Sequence, residues 1–253
     1  MLQVQQLCKS FGPQRVVHQL SFEVAAGEIV ALIGPNGAGK STTFHMLHGQ
    51  LSPDSGCVVF QGSSLKGLSA SAVARRGIAR TFQIAQLFDS FSVIENVQIA
   101  RLSQAGLIYR CFQQARRYQP DQALYWLTQV GLGHRAHDAA SSLAYGDVKR
   151  LELAMALACQ PQLLLMDEPT AGMASAERHA LMALIQQLVD QHQLAVLFTE
   201  HSMDVVFGFA QRILVMSRGE LIAQGSPQSI RDDAQVQALY LGPAALTSAG
   251  VRP

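Results

Sequence analysis

An α/β fold with a parallel sheet at its centre is predicted by two patterns in this sequence. Short, continuously apolar runs alternate with longer segments of helical composition. Such runs are typical of strands that are buried on both faces, as in parallel sheets covered by helices. Of the 253 residues, 49% are hydrophobic and 15% are charged. A disordered chain is therefore excluded, because disorder requires low hydrophobicity and high net charge.

The core strands are predicted from three apolar runs. They cover residues 28–33, 163–166 and 194–199. The first run leads into a glycine-rich turn and then into a predicted helix over residues 41–47, which stops near Gly49. The other two runs end on acidic side chains and a histidine: Asp167, Glu168, Glu200 and His201. A hairpin is predicted from residues 212–216 and 219–222, which flank a Ser-Arg-Gly turn.

Three further patterns complete a predicted organisation of one domain over residues 1–242 and a tail. Apolar and polar residues alternate near the N-terminus, which predicts half-exposed antiparallel strands. These segments are residues 2–7, 20–24 and 58–60. Residues from about 84 to 160 have a mainly helical pattern and predict a helical subdomain inserted between two core strands. Residues 243–253 are small and polar with two prolines, and they predict a flexible tail.

Net charge and cysteine content argue against several classes of function. The 19 basic and 18 acidic residues give a formal net charge of +1, so no basic footprint indicates nucleic acid as a partner. The four cysteines are far apart, without a CxxC pair, which favours reduced thiols over a disulfide framework or a zinc site. We identify no signal peptide and no apolar run of about 18 residues, so action at a membrane would be that of a peripheral subunit.

A phosphate-binding loop is predicted between the first core strand and the helix that follows it. The segment fits the pattern G-x-x-x-x-G-K-[ST], and its residues are Gly34, Pro35, Asn36, Gly37, Ala38, Gly39, Lys40, Ser41 and Thr42. Glycines let backbone N–H groups turn towards phosphate oxygens, and the helix directs its positive end at them. Lys40 is expected to reach the β- and γ-phosphates, and the Ser41 hydroxyl to ligate Mg²⁺.

Side chains at the other two strand ends would complete this site. An apolar strand delivers Asp167 to the carboxyl edge of the sheet, where ligands bind in open α/β folds. Asp167 is the candidate Mg²⁺ ligand, and Glu168 is the candidate base that polarises the attacking water. His201 follows the third strand and is the candidate contact to the γ-phosphate. The alternative is that these side chains are only solvated residues at the ends of strands. The phosphate loop at the same edge of the sheet argues against that alternative.

Taken together, these residues resemble the ATP-binding subunit of ATP-binding cassette (ABC) transporters. The order of the motifs matches, since Lys40 precedes Gln83 by 43 residues and Asp167 precedes His201 by 34. The resemblance implies a P-loop NTPase fold, an ABC cassette with a RecA-like parallel-sheet core, an N-terminal antiparallel β subdomain and an inserted helical subdomain. It also implies ATP as substrate, Mg²⁺ as cofactor, and catalytic roles for Lys40, Glu168 and His201.

Further site residues are implied by the same resemblance. Phe11 falls where an aromatic ring stacks on adenine, and Gln83 where a glutamine contacts Mg²⁺ at the hinge to the helical subdomain. A signature segment that binds the ATP of a partner is implied at Leu143, Ala144, Tyr145, Gly146 and Asp147. Ala144 replaces the family's usual serine and Ala174 its usual Asp or Asn, which removes two side-chain contacts expected across a dimer.

Three segments resemble one branch of the family. Residues 80–88, 143–147 and 238–242 look like the larger ATPase of branched-chain amino-acid importers, a group that includes urea and short-amide importers. The implied partners are two transmembrane permease subunits, a second ABC ATPase subunit and, indirectly, a solute-binding protein, with no nucleic acid. The implied location is the cytoplasmic face of the inner membrane, as a peripheral subunit. Residues 87–94 carry several apolar side chains close to the hinge and are a candidate docking segment for the permease, with ordinary packing of the helical subdomain as the alternative.

Three alternatives remain open from the sequence. One is an ABC ATPase for another task, such as lipopolysaccharide export or urea import. A second is an ABC ATPase that works without a permease, although such proteins usually carry two cassettes or long coiled-coil insertions. A third is the non-hydrolysing half of a heterodimer, which Ala144 and Ala174 favour and the intact Lys40, Glu168 and His201 oppose.

Overall fold

Two β-sheets, one antiparallel and one mostly parallel, organise the chain. A computed structural model describes residues 1–81, 87–107 and 118–241. Two predictions concern residues outside these ranges, namely the role of Gln83 and the flexible tail at 243–253, and both stay predictions.

The elements of the described residues are named in chain order. The strands are β1 (Leu2–Phe11), β2 (Gln14–Val24), β3 (Ile29–Ile33), β4 (Ser55–Phe60), β5 (Ser63–Ser64), β6 (Ile78–Thr81), β7 (Leu163–Asp167), β8 (Ala195–Thr199), β9 (Arg212–Ser217) and β10 (Glu220–Gly225). The helices are α1 (Lys40–Leu47), α2 (Ala70–Arg75), α3 (Val93–Gln104), α4 (Pro120–Gln129), α5 (Tyr145–Ala158), α6 (Ser175–His192), α7 (Met203–Phe209), α8 (Pro227–Arg231) and α9 (Ala234–Leu241). Two 3-10 turns lie at Gly133–Arg135 and Ala140–Ser142.

The antiparallel sheet is built from the N-terminal strands, in the order β2-β1-β4-β5. Leu2 pairs with Val24 on one side and with Phe60 on the other. The alternation of apolar and polar residues explains this sheet, because it leaves one face for the core and the other for solvent. The predicted antiparallel strands near the N-terminus are therefore present, and β1 and β2 extend further towards the turn between them than the alternating segments indicated.

The second sheet has the order β10-β9-β3-β8-β7-β6 and is parallel except for the β9–β10 hairpin. The three core strands and the hairpin predicted from sequence all belong to it. The strand β6 was not predicted, because Arg80 and Thr81 interrupt its apolar character. Carboxyl ends of parallel strands meet at one edge of a sheet, so the residues that follow β3, β7 and β8 are brought together there.

The strand β3 shows why these runs are continuously apolar. Ile29, Ala31 and Ile33 belong to a hydrophobic cluster formed with the helices. Val30 and Leu32 belong to a second cluster, formed with the antiparallel sheet. Successive side chains of a strand point to opposite faces, so a strand covered on both faces must be apolar at every position.

The helices α3, α4 and α5 lie between β6 and β7 in the chain, within the segment predicted to be mainly helical. The helix α3 begins with a capping box, in which Ser92 and Glu95 satisfy each other's backbone N–H groups. The limits of the helical subdomain, about 84 to 160, stay a prediction. Across the part of the chain that the structure describes, no helix combines the length and apolarity that crossing a bilayer requires.

A groove of about 310 Å³ lies between α3 and α5 of this region and the strand β6. It is lined by residues of α2, β6, α3 and α5 and by His48. The Nδ1 atom of His48 is buried and finds no hydrogen-bond partner among the described residues. Burial, together with the nearby charges of Arg80 and His45, lowers the pKa of His48 to about 4.

The pKa of His48 makes folding depend on pH. The unfolded chain takes up a proton at His48 near pH 6.5, whereas the folded chain does so only near pH 4. The titration of His48 therefore does not reduce the free energy of unfolding above pH 6.5, and it reduces that free energy progressively as the pH is lowered towards 4. We expect the wild type to lose about 1–2 kcal/mol more than His48→Gln between pH 7 and pH 5 in urea unfolding.

The exposed His137 provides a control for this measurement. His137→Gln is expected to follow the wild type at each pH. Equal pH dependence of the wild type and His48→Gln would contradict the assignment of this effect to His48.

Candidate active site

Two glycines allow the phosphate loop, residues 34–42, to form between β3 and α1. Gly39 has φ 101°, and a Cβ atom there would lie 2.6 Å from the carbonyl oxygen of Val16. At Gly34 a Cβ would lie 2.2 Å from the carbonyl oxygen of Met216. No other residue fits these two positions without moving the backbone. The glycines of the motif are therefore required by the packing of the loop against β2 and β9.

Lys40 is the first residue of α1 and is almost fully buried. Its Nζ atom donates to the carbonyl oxygens of Gly34 and Pro35, at 2.7 and 3.2 Å. Burial lowers the pKa of Lys40, and the carboxylates of Glu168 and Asp167 act in the opposite direction. Neutral carbonyl oxygens thus hold the ammonium group inside the loop. Phosphate oxygens are charged and would be stronger acceptors for it.

A cavity of about 180 Å³ opens above this loop. The structure brings together most of the predicted site residues around it, from the loop and from the ends of β7 and β8. The cavity is lined by Val16, Asn36, Gly37, Ala38, Gly39, Lys40, Ser41, Thr42, Asp167, Glu168 and His201. Two hydroxyls, an ammonium, two carboxylates and an imidazole thus line one space large enough to admit phosphate groups.

Asp167 is the last residue of β7 and lies partly buried at the cavity wall. Its Oδ1 atom accepts from the Thr199 hydroxyl at 2.7 Å, and its Oδ2 atom accepts from Arg80 Nη2 at 3.0 Å. An ionised carboxylate offers about four lone-pair sites, so each oxygen keeps acceptor capacity. Mg²⁺ is commonly held by one or two carboxylates, water and substrate phosphates. Asp167 and the Ser41 hydroxyl therefore fit the cation that the sequence predicts.

Glu168 and His201 face each other across the ends of β7 and β8. The distance between Glu168 Oε1 and His201 Nε2 is 3.0 Å. Glu168 has φ 49°, a left-handed conformation that is unfavourable for a residue with a side chain. Its backbone N–H donates to the Thr199 carbonyl oxygen at 3.1 Å, which helps hold the turn. Strain of this kind persists where surrounding bonds fix it, and it clusters at functional sites.

Sequence reasoning missed two buried charged residues next to this site. Arg80 donates to Asp167 and, through Nη1, to Gln50 Oε1 at 2.7 Å. Burial lowers the pKa of Arg80, and Asp167 opposes that shift. Glu200 is buried between the turns that follow β7 and β8. The available signals were a charged residue in the short strand β6 and an acidic residue directly after an apolar strand.

The model of the family described as ABC transporter matches residues 17–171. The chain belongs to the ABC transporter family. It is 40% identical to the high-affinity branched-chain amino acid transport ATP-binding protein LivG of Salmonella typhimurium over 251 residues, covering 96% of this chain and 98% of that protein. It is 36% identical to the corresponding BraF protein of Pseudomonas aeruginosa over 251 residues, with the same coverage.

Solved structures of ABC cassettes have the same fold. The ADP conformation of an ATP-binding cassette of an ABC transporter superposes with a TM-score of 0.85 at 27% identity, covering 96% of this chain and 98% of that one. Membership of the ABC transporter family confirms the resemblance found in the sequence, the α/β fold class and the ATPase activity. The cavity above the phosphate loop is the candidate ATP site, and the roles of its lining residues stay predictions.

The signature segment of this ABC cassette lies at the start of α5 and does not line the cavity. Ala144 is the residue before the helix and makes no side-chain capping bond. The Tyr145 hydroxyl donates to the carbonyl oxygen of Ala171 at 2.9 Å, and Arg135 pairs with Asp147 at 3.0 Å. Leu143 and Gly146 complete the segment. A role towards the ATP of a partner stays a prediction.

Two other predicted contacts of the ABC cassette lie apart from the cavity. Phe11 ends β1 and is 50% exposed, with Lys9 Nζ 5.8 Å from its ring centroid. The cavity is lined at this side by Val16, which the sequence did not single out. Ala174 precedes α6 and makes no side-chain capping bond. Adenine stacking on Phe11 stays a prediction, as does the effect of Ala174 on a dimer.

Replacing Lys40 by alanine is expected to weaken ATP binding to this ABC cassette. The ammonium group is the buried cation of the phosphate loop, and a charge-assisted hydrogen bond contributes about 1.5–3 kcal/mol. Binding of a fluorescent ATP analogue to Lys40→Ala should therefore weaken by about 10- to 100-fold. The exposed Lys66 gives a matched control, and Lys66→Ala should bind as the wild type does. Unchanged affinity in Lys40→Ala would contradict the assignment of the loop.

Proposed function

We propose that this chain is the ATPase subunit of an ABC importer for branched-chain amino acids. The observation that carries the proposal is identity of 36–40% to LivG and BraF over 96% of the chain, combined with an ATP cavity that keeps Lys40, Asp167, Glu168 and His201. An intact hydrolytic set argues against a non-hydrolysing subunit. The length of this chain also matches theirs, because the alignment covers 98% of each relative.

Hydrolysis is assigned to residues from three strand ends. Lys40 neutralises phosphate charge, and Glu168 accepts a proton from the water that attacks the γ-phosphorus. His201 lies 3.0 Å from Glu168, where it orients that carboxylate and reaches towards the γ-phosphate. Asp167 and Ser41 hold Mg²⁺, which when bound neutralises charge on the β- and γ-phosphates. Gln83 is proposed to contact the same Mg²⁺ ion.

A second ABC ATPase subunit is the proposed partner across the ATP site. The signature segment at the start of α5 does not face the cavity of its own chain, so it is available to the ATP of a facing subunit. Backbone N–H groups at the start of this 14-residue helix suit an anion. Phe11 is proposed to stack on adenine, for which the exposed face of its ring is sufficient. Closure on two ATP molecules would then drive the transport cycle.

Two transmembrane permease subunits are the proposed partners at residues 87–94. Phe88 is 45% exposed and packs edge-to-face against Phe91, at 5.8 Å between centroids, in this candidate docking segment. Exposed apolar side chains of this kind suit a short cytoplasmic segment of a permease. Docking there places the chain at the cytoplasmic face of the inner membrane as a peripheral subunit, with a solute-binding protein acting through the permease.

Replacing Glu168 by glutamine is expected to separate ATP binding from hydrolysis. The amide cannot accept the proton of the attacking water, whereas Lys40 and the phosphate loop are left unchanged. Glu168→Gln should bind ATP as the wild type does and lose at least about 100-fold in kcat for phosphate release. It should also form a stable dimer in the presence of ATP, measured by size-exclusion chromatography with light scattering. Turnover near the wild-type rate would contradict the assignment of Glu168 as the base.

The importer assignment is tested by recovering the partners from membranes. A photo-crosslinking residue at Phe88 is expected to capture a permease subunit, and the tagged chain should copurify with two permeases and a second ATPase. The same probe at the exposed Tyr125 on α4 is the control and should capture no permease.

In vesicles, the ATPase rate of the recovered complex should rise when a binding protein loaded with leucine is added, but not when the binding protein is loaded with urea. Stimulation by urea, or recovery with an export complex, would contradict the proposed solute class.

A further inference from the structure

Glu200 lies buried between the two turns that carry the proposed catalytic residues. It follows β8 directly, precedes His201, and is only 4% exposed. A buried carboxylate is costly unless hydrogen-bond donors surround it. The proposed mechanism assigns it no role, so the structure has to explain why an acidic side chain occupies this position.

The four nearest donors come from two separate turns. On the turn after β7, the backbone N–H and the hydroxyl of Thr170 donate to Glu200 Oε1, at 2.9 and 2.6 Å. On the turn after β8, the backbone N–H groups of His201 and Ser202 donate to Glu200 Oε2, at 3.1 and 3.4 Å. Each oxygen of the carboxylate thus serves one turn, and the side chain joins the two.

The joined turns hold the two residues that must meet during hydrolysis. Thr170 is two positions after Glu168, and Glu200 is adjacent to His201. The Thr199 hydroxyl donates to Asp167, and the Glu168 N–H donates to the Thr199 carbonyl oxygen, so these bonds connect the strand ends. The Glu200 carboxylate connects the turns that follow them. A displacement of about 1 Å in a catalytic group can lower a rate by roughly 100-fold, so such a connection has kinetic consequences.

We propose that Glu200 is a positioning residue that fixes the distance between Glu168 and His201. It acts through the backbone of both turns and touches neither ATP nor water. This inference rests on the proposed roles of Glu168 and His201 in hydrolysis.

A carboxylate is required at this position because all four neighbouring groups donate to it. In Glu200→Gln one of the two oxygens becomes an NH₂ group, which cannot accept a hydrogen bond. With the NH₂ directed at His201 and Ser202, two backbone N–H groups lose their acceptor. With the NH₂ directed at Thr170, the hydroxyl can accept from it, but the Thr170 N–H loses its acceptor. Either arrangement loosens one of the two turns.

The test measures ATP turnover of the full chain assembled with its permease partners in vesicles. We expect Glu200→Gln to lower kcat by about 10- to 100-fold while KM for ATP changes less than about twofold, because the phosphate loop is untouched. In a His201→Ala background, the same substitution should lower kcat by less than about twofold. Residues that act as a unit give such non-additive effects.

Two further variants separate positioning from a loss of fold. Thr170→Val removes one hydroxyl donor, keeps the backbone N–H, and should lower kcat by about 3- to 10-fold, while its melting temperature falls no further than that of Glu28→Gln. Glu28→Gln is the matched control, because Glu28 also accepts several hydrogen bonds, from Arg212 and the Ala25 N–H, but at the opposite edge of the sheet. It is expected to lower the melting temperature and leave kcat unchanged.

The outcomes distinguish this inference from the function on which it rests. If Glu168→Gln abolishes turnover while Glu200→Gln and Thr170→Val keep the wild-type kcat, positioning by Glu200 is wrong and the proposed function stands. If the losses in Glu200→Gln and His201→Ala are additive, Glu200 does not act through His201 and the inference is wrong. If Glu168→Gln keeps its turnover, both the proposed function and this inference are wrong.

Discussion

The parallel pairing of β7 with β8 is the constraint on which the rest of the site depends. The register places Asp167 beside Thr199, and the next residues along the two strands leave the sheet at the same level. Successive side chains of a strand point to opposite faces, so a slip of one residue would turn Asp167 away from the Thr199 hydroxyl. It would also separate Glu168 from His201. The site is thus fixed by strand pairing in a buried sheet, which is among the most strongly specified features of a fold.

Strand pairing alone does not fix the turns, and the structure uses hydrogen bonds from side chains to do so. Glu168 adopts an unfavourable left-handed conformation, which costs of the order of 1–3 kcal/mol and persists only where its surroundings impose it. Thr199 and Glu200 supply those surroundings, because together they bind the backbone before and after Pro169. The same polar groups would be costly if left without partners in a buried site. Catalytic geometry and local stability therefore depend on the same few bonds.

The parts of this structure that sequence could predict are those encoded locally. The phosphate loop requires glycines at fixed spacing, and strands buried on both faces are apolar at every position, so β3, β7 and β8 were identifiable. Arg80 and Glu200 were not, because their roles depend on partners 87 and 30 residues away. The strand β6 was missed for a related reason, since its Arg80 binds Asp167 on the neighbouring strand β7. Contacts distant in sequence leave no periodic pattern that a single sequence can reveal.

Arg80 extends this argument from the ATP site to the groove. It lines the groove between β6 and α3, and it also donates to Asp167, so one buried side chain borders both places. A cation at Asp167 competes for the carboxylate that pairs with Arg80, and in a site of low dielectric such competition is strong. An occupant of the groove that displaces Arg80 therefore changes the affinity of Asp167 for a cation. Linkage would make such an effect reciprocal, so a cation bound at Asp167 would alter the affinity of the groove for its occupant by the same free energy.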